Sequence, residues 1–187
     1  DIGLIGPKTR IVLAILLGVS LHLGAEFLRR RTGEHHDSFA ALAGGGSITI
    51  YAALLAALHF YQMLPPMAVF ILLAIVSMAT MAAALRHGPV LAAIGILGAY
   101  VVPIFVNTGS NNVTAALIYS FIVTVAALFL IRFIFRQWLW YGTLSGAAFW
   151  LLVSMAHPSE LALVRALYCC ALAYSVITIH FSDWTLR

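Results

Sequence analysis

Apolar residues run along this chain in long blocks, divided by short polar interruptions. The first block is IVLAILLGVSLHLGAEFL at 11–28, closed by Arg29-Arg30-Arg31. Ser38–Leu85 then holds 48 residues without Asp, Glu, Lys or Arg. One helix of that length would reach about 72 Å, against a hydrocarbon core of about 30 Å. The block therefore folds back, and Pro65-Pro66 marks the turn, because proline removes a backbone donor and disfavours helix just before it. This predicts helices over 39–61 and 67–85. His87–Ile131 repeats the pattern with 45 residues free of those four types. Its break is NTGSNN at 107–112, a polar Gly-containing turn cluster, with helices over 89–107 and 113–132. Two further apolar stretches predict helices over 138–156 and 161–181. The pattern predicts an all-α polytopic bundle of about seven transmembrane helices, forming one domain over 1–187 with its ends on opposite sides.

Composition agrees. Apolar residues make up 63% of the chain and charged ones 9%. Soluble domains carry about 45–50% and about 25% respectively. A soluble enzyme, a nucleic-acid-binding domain and a disordered tail are excluded as classes. The net charge is +4, but its distribution matters more than its sum. Lys8 and Arg10 lie at one end of the predicted bundle. Arg29, Arg30, Arg31, Arg86, Arg132, Arg136 and Arg187 lie at the other. Basic residues in short loops favour the cytoplasm. The expected topology has the N-terminus outside and the C-terminus cytoplasmic, in an inner (plasma) membrane. Trp138, Trp140 and Tyr141 fit an interfacial aromatic belt on the cytoplasmic side. The adjacent Cys169 and Cys170 are expected to be small buried hydrophobes, and no zinc-type spacing exists.

Ionisable groups in lipid are costly, so each carries a hypothesis. His22 and Glu26 are four apart and share a helix face. They would form a proton relay or cation site, or a structural arrangement in which Glu26 pairs with His22 or with the arginine run. The second reading is favoured, because Glu26 lies near the interface. At the opposite face the topology gathers His59, Asn107, Asn111, His157, Glu160 and Arg165. Such a set would hold a carboxylate, phosphate or lipid headgroup. Against that, Arg165 would snorkel to the headgroups and the asparagines would form a wet turn.

Glycines supply the other clue. Gly44, Gly45 and Gly46 interrupt the second predicted helix, and Gly98 and Pro103 weaken the fourth. Broken helices expose backbone groups that bind ions in transporters. Small residues equally allow close helix packing in lipid, and the surrounding alanines favour packing. A Schiff-base retinal protein is rejected, because the only lysine, Lys8, lies outside the apolar blocks. A bis-histidine haem is disfavoured by the unequal depths of His22, His59 and His180. No nucleotide-binding, nucleophile-elbow or zinc-protease motif is present, so no cofactor and no metal are expected.

The segment from LAGGG and Tyr51 through the Pro65-Pro66 turn, ALRHG at 84–88 and GAYVVPIFVNTGSNN at 98–112 carries a resemblance, as does GAEFLRRR before it. It resembles the large bacterial membrane proteins grouped as DUF2339, a domain of unknown function. The likeness covers roughly 1–140. It marks Gly44, Gly45, Gly46, Tyr51, Pro65, Pro66, Arg86, His87, Gly98, Pro103 and Asn107 as motif positions, without assigning them chemistry. Similar proteins are much longer. With Asp1 in place of a starting Met, the resemblance implies a fragment of a longer chain. The expected role is a packing or scaffold module of a larger cell-envelope assembly. Its partners would be membrane lipids and other membrane helices, not nucleic acid. A transporter or channel module using helices two and four is the first alternative. An envelope enzyme acting on a lipid-linked substrate is the second.

Overall fold

A computed structural model describes residues 6–32, 37–106, 113–134, 136–156 and 162–181. Its seven helices are α1 (Pro7–Thr32), α2 (Asp37–His59), α3 (Pro66–His87), α4 (Pro89–Phe105), α5 (Val113–Phe133), α6 (Gln137–Met155) and α7 (Ala162–Phe181). Among the described residues there is no strand. Four helices are long and apolar enough to cross a membrane by length and composition: α1, α2, α3 and α5. Helix α4 is apolar but shorter, at 17 residues. Helix α6 opens on the polar-aromatic run Gln137-Trp138-Leu139-Trp140-Tyr141.

Proline and glycine set the boundaries where the pattern places them. Pro65 is extended, at φ −67° and ψ 148°, and Pro66 opens α3, where a missing N–H costs nothing. A single residue, Gly88, separates α3 from α4. Its N–H caps α3 by donating to the Ala84 carbonyl at 2.8 Å, and Pro89 starts the next helix. Gly88 has φ 96° and ψ −176°, a region open essentially to glycine.

The chain divides into two compact units, Asp1–Thr108 and Gly109–Arg187. In the first, α2 packs against α1, α3 and α4, and α3 packs against α4. Glycine sets these distances. A Cβ on Gly18 would lie 2.8 Å from the Gly46 carbonyl oxygen, and one on Gly46 would lie 2.6 Å from that of Gly18. The backbones of α1 and α2 are therefore in contact. A Cβ on Gly44 would meet Ile94 Cδ1 of α4 at 2.5 Å, and one on Gly98 would strike the Tyr51 ring. A Cβ on Gly95 would meet the backbone nitrogen of Met81 at 2.9 Å.

Two expectations need correcting. Helix α2 runs unbroken through Gly44–Gly46, and α4 continues through Pro103. Glycine weakens an isolated helix, but in lipid the close approach it allows offsets that cost by added van der Waals contact. Pro103 lies in the last turn of α4, where little helix remains to be disrupted. Cys169 and Cys170 are both exposed on α7 rather than buried. In a bundle bathed by lipid an apolar face needs no protein cover, so small hydrophobes can sit outside.

In the second unit α5 packs against both α6 and α7. Tyr168 of α7 is buried there. Its hydroxyl lies 3.1 Å from Ser120 Oγ of α5 and 3.3 Å from the Ala147 carbonyl of α6, and its ring meets Phe121 edge-on.

The glycine contacts make a differential prediction. Gly46→Ala drives a methyl into a backbone carbonyl and should destabilise the protein by about 1–3 kcal/mol, the usual range for overpacking. Gly45→Ala meets nothing within 4 Å and should be neutral or stabilise by up to about 1 kcal/mol. Reversible unfolding in mixed detergent micelles measures both.

Candidate functional site

The polar side chains of the first unit collect along the α1–α2–α3 contact. The Gly18–Gly46 approach brings His22, one turn along α1, against Ser47, and His22 Nε2 lies 3.0 Å from Ser47 Oγ. Ser47 Oγ lies 2.8 Å from Thr80 Oγ1 of α3, and both hydroxyls are buried. Thr80 donates its own proton to the Val76 carbonyl at 2.7 Å. Its lone pairs are then left to accept from Ser47, and Ser47 accepts from His22 Nε2–H. One turn further along α2, the Tyr51 hydroxyl bonds Ser77 Oγ, and Ser77 donates to the Leu73 carbonyl at 2.7 Å. Both chains of hydroxyls thus end on the backbone of α3, through Thr80 and Ser77, a common way to satisfy Ser and Thr inside a helix.

At the other end of this row stands Glu26. Arg29 binds it bidentately, Nε to Oε2 at 3.0 Å and Nη2 to Oε1 at 2.8 Å. Arg30 Nε adds a bond to Oε1 at 2.7 Å. Helix α3 brings Arg86 Nη1 to 3.7 Å from Oε1, and His87 Nε2 to 3.9 Å from Oε2. His87 is 5% exposed, and its Nδ1 donates to the Ala83 carbonyl at 3.1 Å. Its Nε2 has no hydrogen-bond partner among the described residues. Glu26 is therefore committed to the arginine run and to α3, while His22 turns to Ser47. No group of three or more His, Cys, Asp or Glu that could hold a metal occurs among the described residues.

The residues assigned to the opposite face fare unevenly. Asn107, Asn111, His157 and Glu160 lie outside the described residues. His59 sits at the end of α2 with Nε2 2.8 Å from the Phe105 carbonyl, at the C-terminus of α4. Arg165 donates to the Ser154 carbonyl in the last turn of α6. Both donate to helix C-termini, where carbonyls lack intrahelical partners and the macrodipole favours donors and cations. His59 belongs to the first unit and Arg165 to the second. Sequence reasoning missed the partners Thr80, Ser77 and His87. Pairings between helices separated by long turns leave no local spacing signal.

This is a polytopic helical membrane protein, its buried polar groups joined across helices. The family described as Predicted membrane protein (DUF2339) matches residues 1–184, and the chain belongs to it. The match extends well past the roughly 140 residues on which the motifs rest. No curated protein and no solved structure matches the chain.

The Ser47–Thr80 contact is testable by a double-mutant cycle of Ser47→Ala and Thr80→Val. A coupling of about 0.6 kcal/mol is expected, the average for hydrogen bonds between membrane helices, with about 1.7 kcal/mol as the upper end. Strictly additive losses in detergent unfolding would mean the hydroxyls do not interact.

Proposed function

We propose that the chain is a helix-packing, scaffold module of a larger cell-envelope membrane assembly. In this reading it crosses the inner membrane seven times, with the N-terminus outside and the C-terminus cytoplasmic. Lipids and further membrane helices are its partners. The observation that carries the reading is the glycine-mediated contact of α2 with α1 and α4, at Gly18–Gly46, Gly44–Ile94 and Gly98–Tyr51. Gly44, Gly46 and Gly98, three of the positions suited to a broken transport helix, lie directly against neighbouring atoms. His59 and Arg165 likewise serve helix ends. The excess of arginine at the ends of α1, α3 and α5 supports the orientation.

A transporter module is the second reading, favoured by the row Glu26, His22, Ser47, Thr80, which reaches inward from the arginine end. The two readings separate in proteoliposomes. A scaffold gives proton and cation flux no greater than protein-free vesicles. Flux above that level, lost in Glu26→Gln or Arg165→Ala variants that still fold, would replace the scaffold reading with transport.

A further inference from the structure

Three guanidiniums, those of Arg29, Arg30 and Arg86, converge within 4 Å of the single carboxylate of Glu26. One carboxylate neutralises one of them, so positive charge remains in excess among the described residues there. The three differ in how they are held. Arg29 spends two nitrogens on Glu26 and is 26% exposed. Arg30 binds Glu26 through Nε alone, and Arg86 reaches Oε1 only at 3.7 Å. These two are 70% and 63% exposed, so their remaining N–H groups face outward. They come from different helices, α1 and α3, yet aim at the same oxygen. Exposed apolar side chains lie next to them in sequence, Phe27 beside the α1 arginines and Leu85 beside Arg86.

From this geometry we infer that Arg30 and Arg86 form a binding site for a phosphate oxyanion, with Glu26 as the fixed post that holds the two guanidiniums together. Guanidinium forks match the paired oxygens of a phosphate, and two of them from separate helices grip it from two sides. Glu26 takes no part in binding the anion. It lowers the repulsion between the arginines while the site is empty. The apolar surface beside the site suits the acyl chains of a phospholipid, whose headgroup phosphate is one source of the oxyanion, and free phosphate is the other. The site stands apart from the scaffold reading: it would persist in a transporter and would be absent from a scaffold lacking these arginines.

The test is lipid retention by the purified full chain, read by native mass spectrometry after release from nanodiscs of neutral phosphatidylcholine doped with phosphatidylglycerol. The wild type should retain phosphatidylglycerol. The R30Q/R86Q double variant should retain it on the order of tenfold more weakly, as expected for the loss of two arginine–phosphate contacts. The R30K/R86K variant should recover part of the loss. R136Q removes an exposed arginine from the second unit and should change nothing. Inorganic phosphate in neutral detergent identifies the source. Competition with phosphatidylglycerol means the site takes the bare oxyanion, and its absence means the headgroup and chains are read together. Equal retention by wild type and R30Q/R86Q, or an equal loss in R136Q, overturns the inference. Should the double variant fail to fold, R86Q alone decides, since Arg86 has the longest contact with Glu26. A loss there supports the site and no loss overturns it.

Discussion

Gly18 and Gly46 lie back to back, and the polar interior of the first unit depends on that spacing. In lipid an unsatisfied polar group costs several kcal/mol, so each must find a partner within the protein. His22 is able to reach Ser47 because no side chain separates α1 from α2 one turn away. Ser47 in turn reaches Thr80, so a contact between two backbones extends into a row of hydrogen bonds across three helices. A side chain at either glycine would push α1 and α2 apart and part His22 from Ser47.

Charge follows a different rule. Glu26, the only acidic residue within the described part of the first unit's apolar blocks, sits where four arginines of α1 and α3 end. Its carboxylate is compatible with the membrane because Arg29 and Arg30 surround it at hydrogen-bonding distance. At two other helix ends single donors meet backbone carbonyls. His59 serves the last turn of α4 and Arg165 that of α6. A titratable residue in an apolar chain is often read as chemistry, but here each of these meets a backbone or charge requirement first.

The sequence made the helices legible to within a few residues, because uninterrupted apolar blocks and proline-glycine punctuation act locally. Pro89 begins α4 where the pattern placed it, and Pro66 begins α3 one residue before the predicted start. What Gly44–Gly46 do was not legible in the same way. A glycine run looks alike whether it opens a helix or lets another helix approach, and only Gly18 and Ile94, far away in sequence, decide between the two. His22 and Glu26 share a helix face, as their spacing requires, yet they turn to different partners. The spacing fixes a face, and the identity of the neighbour on that face comes from α2 and α3. Cys169 and Cys170 show the converse. Hydrophobicity implied burial, but when lipid is the solvent it says only that a residue avoids water.

The most direct measurement is magic-angle-spinning NMR of the protein in lipid bilayers, with carbon-13 placed selectively at the Gly18 carbonyl and the Gly46 Cα. Backbone contact between α1 and α2 predicts a strong through-space cross-peak between these two carbons. Its absence from a sample whose helices are intact would show that the helices stand a side chain apart, and the row from His22 to Thr80 would lose its basis.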